Sequence, residues 1–246
     1  MKKIKNKVIS FIKNYVESAG AKGVVLGMSG GKDSFVVAAL AVEAMGADNV
    51  FGIIMPNGNQ KDIDDAIFEC EFLKIKYSIS NIENLYNETL NLTKSALQTT
   101  ELSKVTTLNI APRLRMNLLY AAAATLGYLV ANTSNLSEKM VGYSTKWGDS
   151  VGDFAPLLSL TKTEVQELGK ELGLPENLVY KKPADGLTGN TDEEVLGFTY
   201  AELDEFIRTG KKSENFDRIL KMYKSSKHKR EPIKAFDCKR KNYFEE

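Results

Sequence analysis

The 246-residue chain carries 33 basic and 32 acidic residues for a formal net charge of +1, so no global field recruits nucleic acid or an anionic membrane, and any anion site must be local. Its 43% hydrophobic and 26% charged content is that of an ordinary globular protein, enough for one large α/β domain or two small ones. The two cysteines, Cys70 and Cys238, form neither a CxxC pair nor a metal-spaced cluster, and no apolar run approaches a membrane span; a reduced, cytoplasmic protein is the economical reading.

In chain order, Ile4, Val8, Phe11, Ile12, Tyr15 and Val16 recur at helical spacing between lysines, which predicts an amphipathic opening helix, not a secretory leader. Strands are expected at 23–28, 49–55, 76–80 and 128–133, with helices near 33–45, 60–74, 82–97, 112–127 and 161–172. Strand alternating with helix implies a parallel sheet covered on both faces, a three-layer α/β fold, with ligands beyond the carboxyl ends of the strands. Thr161 with Glu164, Ser80 with Glu83 and Thr199 with Glu202 fit the helix-start capping box. The polar stretches 98–109 and 181–194 read as mobile loops of the kind that form lids.

Between the first strand and its helix lies "GMSGGKDS", Gly27 to Ser34. Only three residues separate Gly27 from Gly31, and Lys32 is followed by Asp33, so this is not the common GxxxxGK[ST] phosphate loop. Gly30 and Gly31 still let successive N–H groups converge on an anion, and the following helix adds its positive dipole end. Ser29 and Ser34 add hydroxyls and Lys32 adds charge. A carboxylate at Asp33 opposes a bare phosphate but suits one that carries Mg²⁺, an ion bound by carboxylate and phosphate oxygens together. The bland alternative is a glycine-rich turn capped by Ser29 or Asp33.

The stretch resembles the SGGxDS loop of the ATP pyrophosphatase superfamily, which holds the β and γ phosphates that leave as pyrophosphate while AMP is transferred to an acceptor. Several synthetases share that loop. With "NIAPRLRMNLLYAAA", "VANTSNLSEKMVGYSTKWGDSVGDFAPLLSLTKTE", "KKPADGL", "DEEVLGFTY" and "HKREP" following in order, the chain resembles the NAD⁺ synthetases from its opening helix nearly to its C-terminus. The resemblance implies an adenine nucleotide alpha hydrolase-like (Rossmann-like) fold and a single synthetase domain over 1–246. It also implies the ammonia-dependent type, since the glutamine-dependent enzymes add an amidase domain. The implied reaction amidates deamido-NAD⁺ with ammonia and ATP, through an acyl adenylate, to NAD⁺, AMP and pyrophosphate.

By the same resemblance, Gly27, Met28, Ser29, Gly30, Gly31, Lys32, Asp33 and Ser34 bind the ATP phosphates, and Thr133, Lys162 and Ala184 fall at further ATP contacts. Ala184 stands where the family usually offers a hydroxyl, and Pro112 stands in place of an alanine at what is expected to be a helix's first turn. Asp33 and Glu138 match the Mg²⁺ ligands. Arg115, Lys146, Asp153, His228 and Lys229 match contacts to deamido-NAD⁺, and Asp149 falls in the ammonia pocket. Asp33, Lys162 and Asp149 would carry the chemistry. The family's homodimer would use the small-residue helix "MNLLYAAAATLGYL" at its interface, with neither nucleic acid nor membrane as partner. Two rivals stay open: another SGGxDS-type pyrophosphatase, such as an amidotransferase synthetase domain or a tRNA-modifying adenylating enzyme, and a non-catalytic module that senses ATP.

Overall fold

In the computed structural model, which describes residues 1–60, 62–181 and 191–236, α1 (Lys2–Ser18) opens the chain and buries Ile12 and Val16 completely. The central strand β1 (Val24–Met28) leads into α2 (Lys32–Met45), whose buried Phe35, Val37, Ala38 and Leu40 are apolar nearly all round. That pattern marks a helix enclosed between layers. β2 (Val50–Ile54), α3 (Ile63–Phe72), β3 (Lys76–Ile79), α4 (Glu83–Leu97), α5 (Lys104–Leu126) and β4 (Leu129–Val130) complete the sheet region. All pairings are parallel and the order is β3-β2-β1-β4, with Val24 opposite both Val50 and Leu129. Strand order therefore reverses at β1, and the crevice beyond its C-terminal end is where such sheets bind ligands.

Alternation along β1 sends Val24, Leu26 and Met28 toward one face and Val25 toward the other. The first face is covered by α1, α2, α3 and α7 (Lys162–Glu171), the second by α5 with α4 against it. Beyond the sheet, α6 (Leu136–Val141), short α8 (Glu176–Val179), α9 (Asp192–Leu196), α10 (Tyr200–Thr209), α11 (Phe216–Ser225) and α12 (Lys227–Arg230) follow. Val141, Leu196, Phe198, Leu203 and Ile219 close a separate apolar cluster there. Among the described residues no helix is long and apolar enough to cross a membrane.

The expected three-layer α/β architecture is thus present, with four local corrections. The helix expected from 112 begins at Lys104, so Pro112 lies inside α5 and half of the loop expected at 98–109 is helical. Its start is set by Ser103, whose hydroxyl accepts the Thr106 N–H at 3.1 Å, a cap that outweighs the break expected at proline. The strand expected at 128–133 stops at Val130, because the Asp153 carboxylate takes the Val130 N–H at 2.7 Å and Phe154 pairs with Ala131 just beyond it. The capping box expected at Ser80 is absent: α4 starts at Glu83, whose N–H goes to Asn81 Oδ1 at 2.9 Å. Lastly, most of the loop expected at 181–194, with Ala184, lies outside the described residues, and its end is a capped helix start at Thr191.

Candidate active site

The phosphate-loop stretch turns at the C-terminal end of β1. Gly30 sits at φ +72°, where a Cβ would stand 2.3 Å from the Asp62 carbonyl oxygen, so only glycine lets the loop lie against the start of α3. Gly31 is the N-cap of α2, and Ser34 Oγ ties the turn together by donating to the Gly31 carbonyl at 2.8 Å and accepting the Ser29 N–H at 3.4 Å. Lys32 and Asp33 occupy the first turn of the helix, beside its unsatisfied N–H groups.

Two further helix starts converge on Asp33. Asn135 is the N-cap of α6: its Oδ1 accepts the Glu138 N–H at 3.0 Å while its Nδ2 donates to Asp33 Oδ1 at 3.3 Å. Thr161 caps α7, which puts Lys162 at that helix's first position. Lys162 Nζ then donates to Asp33 Oδ2 at 2.8 Å and to Glu138 Oε1 at 2.7 Å. The lysine is only 3% exposed. Burial acts to lower its pKa, but the two carboxylates and their hydrogen bonds push it up, so it is a fixed ammonium and not a base. Glu138 is pushed up to about 7, chiefly by burial and further by Asp33, since one close ammonium does not fully compensate two buried carboxylates.

These groups line a cavity of about 700 Å³ that also takes in Thr133, Arg115, Asp149, Lys181, Asp192 and Lys229. Arg115 Nε donates to the Met55 carbonyl at 2.9 Å, and burial pulls its pKa down. Asp149 accepts the Thr145 N–H at 2.6 Å and burial pushes its pKa up. Lys32 is pulled down by burial and by the charge of Lys162. Each of these shifts marks an ionised form that burial disfavours and an oppositely charged ligand would favour.

Among the residues expected at the site, the 27–33 stretch, Thr133, Glu138, Lys162, Arg115, Asp149 and Lys229 meet in this one cavity. Ser34 lies beneath the loop, as its hydrogen bonds show. Lys146, His228 and Asp153 do not line the cavity. Lys146 Nζ donates to the His228 carbonyl at 2.8 Å, joining the "WGDS" segment to α12, while the His228 side chain is exposed. Asp153 is engaged by the Val130 N–H and by the Tyr120 hydroxyl at 3.4 Å. Lys229 is held by the Gly142 and Ser144 carbonyls at 2.7 and 2.6 Å.

Reading the sequence missed Asn135, although Asn135-x-x-Glu138 is a capping box in plain view. It also missed Asp192, a buried acid that accepts the Tyr200 hydroxyl at 3.1 Å. Thr191, its neighbour, caps α9 with Glu194, and that spacing was the available signal. Asp62 and Asp65, which grip Lys181 at 2.5 Å each, had none.

Chemically, the site offers two carboxylates that share one cation, two buried lysines and converging N–H groups at the end of a central strand. Such a donor set suits a polyphosphate with a divalent ion. Among the described residues no three carboxylate, histidine or cysteine side chains gather into a complete cage, so an ion on Asp33 and Glu138 would draw its other ligands from phosphate and water.

Comparison with known proteins agrees with that chemistry. A profile of the NAD synthase family matches residues 4–233. The NH(3)-dependent NAD(+) synthetase of Thermococcus sibiricus is 44% identical over 245 residues, covering 93% of this chain and 94% of its own. Among solved structures, NMN synthetase from Francisella tularensis superposes with a TM-score of 0.89 at 35% identity, covering 96% of this chain and 98% of its own. The NH3-dependent NAD synthetase from Campylobacter jejuni gives 0.78 at 31%, with the same two coverages.

Proposed function

The chain belongs to the NAD synthase family, and we propose that it amidates deamido-NAD⁺ with ammonia at the expense of ATP, giving NAD⁺, AMP and pyrophosphate. The observation that carries this reading is the convergence of Asp33, Glu138 and Lys162 beneath a glycine turn at the sheet's switch point. A nucleotide sensor gains nothing from two buried carboxylates at its phosphate end. A transferase whose leaving group is pyrophosphate gains a cation seat there.

In the first step a nicotinate carboxylate oxygen attacks the α-phosphorus, forming an acyl–O–P bond as the bond to the β-phosphate oxygen breaks. Lys32, the loop N–H groups of 29–31 and the Lys162 ammonium stabilise the charge that collects on the departing pyrophosphate. Asp33 and Glu138 would hold Mg²⁺, which when bound neutralises phosphate charge. Thr133 and the 27–34 stretch, with Ala184, are assigned to ATP. Arg115, Lys146, Asp153, His228 and Lys229 are assigned to the dinucleotide.

In the second step ammonia attacks the acyl carbon, a C–N bond forms, and AMP leaves with the electrons of the C–O bond. Asp149 is assigned the proton that the attacking nitrogen must lose. Its burial supports this, since a carboxylate with a raised pKa is a better proton acceptor.

We read residues 1–246 as one domain acting in a homodimer. Leu85, Leu92 and Leu97 of α4 and Val105 and Leu126 of α5 leave an exposed apolar patch suited to a second copy, continuous with the small-residue helix. The nucleotide substrates and the free, buried Cys70 thiol support a cytoplasmic setting.

The test incubates the full chain with ATP, magnesium and ammonium and follows AMP and pyrophosphate. Deamido-NAD⁺ is expected to give both with no ADP; ADP, or turnover only with an unrelated acid, would refute the reading. The superposition on an NMN synthetase favours one second reading, in which the acceptor is the mononucleotide carrying the same pyridine carboxylate. The ratio of kcat/KM for the two acceptors decides between them.

A further inference from the structure

The three groups that meet at Lys162 come from three separate helix starts, and something outside the cavity must hold those starts in register. Asp204, in the second turn of α10, is 6% exposed and does not line the cavity. One of its oxygens, Oδ2, accepts the Thr163 N–H at 2.8 Å and the Thr163 hydroxyl at 2.6 Å. The other, Oδ1, accepts a short hydrogen bond from the Ser137 hydroxyl. Ser137 Oγ in turn accepts the Lys162 N–H at 2.9 Å. A single buried carboxylate therefore satisfies orphan N–H groups of the first turn of α7, directly or through Ser137, and it fastens that turn to α6.

The residues it fastens are the immediate neighbours of the reactive ones: Thr163 follows Lys162 and Ser137 precedes Glu138. We infer that Asp204 is a positioning residue, which fixes the Lys162 ammonium against Asp33 and Glu138 by clamping the first turns of α7 and α6 together. This assignment rests on the amidation reading for its kinetic consequences, but its structural consequence can be read without any turnover.

The neighbouring polar groups do not replace the clamp. The α7 capping box of Thr161 and Glu164 satisfies that helix's own start but does not reach α6. Glu164 is in addition turned outward to a bidentate pair with Arg208. Asp204 is the charged group that touches both turns, and a charge-assisted bond from each makes the joint stiff. A shift of about 1 Å in a residue that stabilises transition-state charge is enough to cost roughly 10²-fold in rate.

The experiment compares wild type with Asp204→Asn and with Ser137→Ala, which removes one arm of the clamp while leaving the carboxylate. The first readout is the rate of acetic anhydride labelling at Lys162, measured by mass spectrometry against the exposed lysines of the same sample. Lys162 is protected in the wild type; the expected result is labelling at least tenfold faster in Asp204→Asn and an intermediate rate in Ser137→Ala. The second readout is steady-state kinetics: kcat is expected to fall about tenfold to a hundredfold while KM for ATP changes less than threefold, since the clamp acts on transition-state charge.

Unchanged Lys162 protection in both variants would overturn the inference, as would a lowered melting temperature accompanied by wild-type kcat. If Asp204→Asn does not fold, Ser137→Ala carries both readouts. Faster labelling with a wild type that turns over neither acceptor would sink the amidation reading and leave the clamp standing.

Discussion

Glu69, on α3, is completely buried, and neither of its oxygens has a hydrogen-bond partner among the described residues. Burial first, then the nearby Asp65, pushes its carboxyl up to about 9. The folded pKa thus lies above the unfolded one, so its contribution to stability is full below about pH 4.5 and is lost as the pH rises toward 9. Each pH unit in that window is worth about 1.4 kcal/mol, so proton uptake on folding costs about 3 kcal/mol at pH 7 relative to pH 4.5. Glu69→Leu keeps an aliphatic side chain of similar reach and removes the titration. It is expected to stabilise the chain by roughly 2–4 kcal/mol at pH 7, which raises Tm by roughly 5–12 °C for a domain of this size. Glu69→Gln removes the charge but leaves a buried amide without partners, so it should gain less, by about 1–3 kcal/mol. Urea denaturation of the three proteins at pH 5, 7 and 8.5 checks this. The gap between wild type and Glu69→Leu must widen with pH; a gap that is constant across the series would refute the argument.

Lys162→Met leaves Asp33 and Glu138 without their shared cation and should cost about 3–5 kcal/mol of stability, as broken buried pairs do, with kcat reduced at least a hundredfold. Calorimetry and pyrophosphate release measure the two effects, and a variant with wild-type turnover would remove Lys162 from the mechanism. Gly30→Ala must bring a Cβ to 2.3 Å from the Asp62 carbonyl in a left-handed backbone. The conformation alone costs about 1–2 kcal/mol, so a lowered Tm and a raised KM for ATP are expected. Lys181→Met breaks a part-exposed pair with Asp62 and Asp65, and it should shift stability by only about 0–1 kcal/mol in low salt and less in high salt. A loss above about 2 kcal/mol in urea denaturation would mean that the pair is not solvated.

The sheet was legible because β1, β2 and β3 are short apolar runs whose ends the glycines and polar turns mark, and each matches its expected span within two residues. The start of α5 was not legible, since a proline nine residues into a helix reads as a boundary when only local rules apply. It took the Ser103 cap and tertiary burial of Ile110 and Ala111 to carry the helix through. The loop's ligands could be read from residue types at fixed spacing. Asp204 could not, because its role depends on three helices meeting, and no spacing in the chain encodes that contact.

The cavity also explains why so many charges are buried in a chain of nearly zero net charge. Burial disfavours the ionised forms of Lys32, Arg115, Glu138, Asp149 and Asp192 alike, so the cationic and the acidic groups are both held against their preference. Were the charges structural, the fold would gain by pairing them, and of these buried groups Glu138 alone is in an ion pair, through the Lys162 that it shares with Asp33. A triphosphate relieves the lysines and the arginine, and a divalent ion relieves Asp33 and Glu138, so the two must act together: either alone corrects one sign and leaves the other uncompensated. The electrostatics of this one cavity therefore select a metal–nucleotide pair over a bare nucleotide or a bare ion, which is the choice that a reaction expelling pyrophosphate requires.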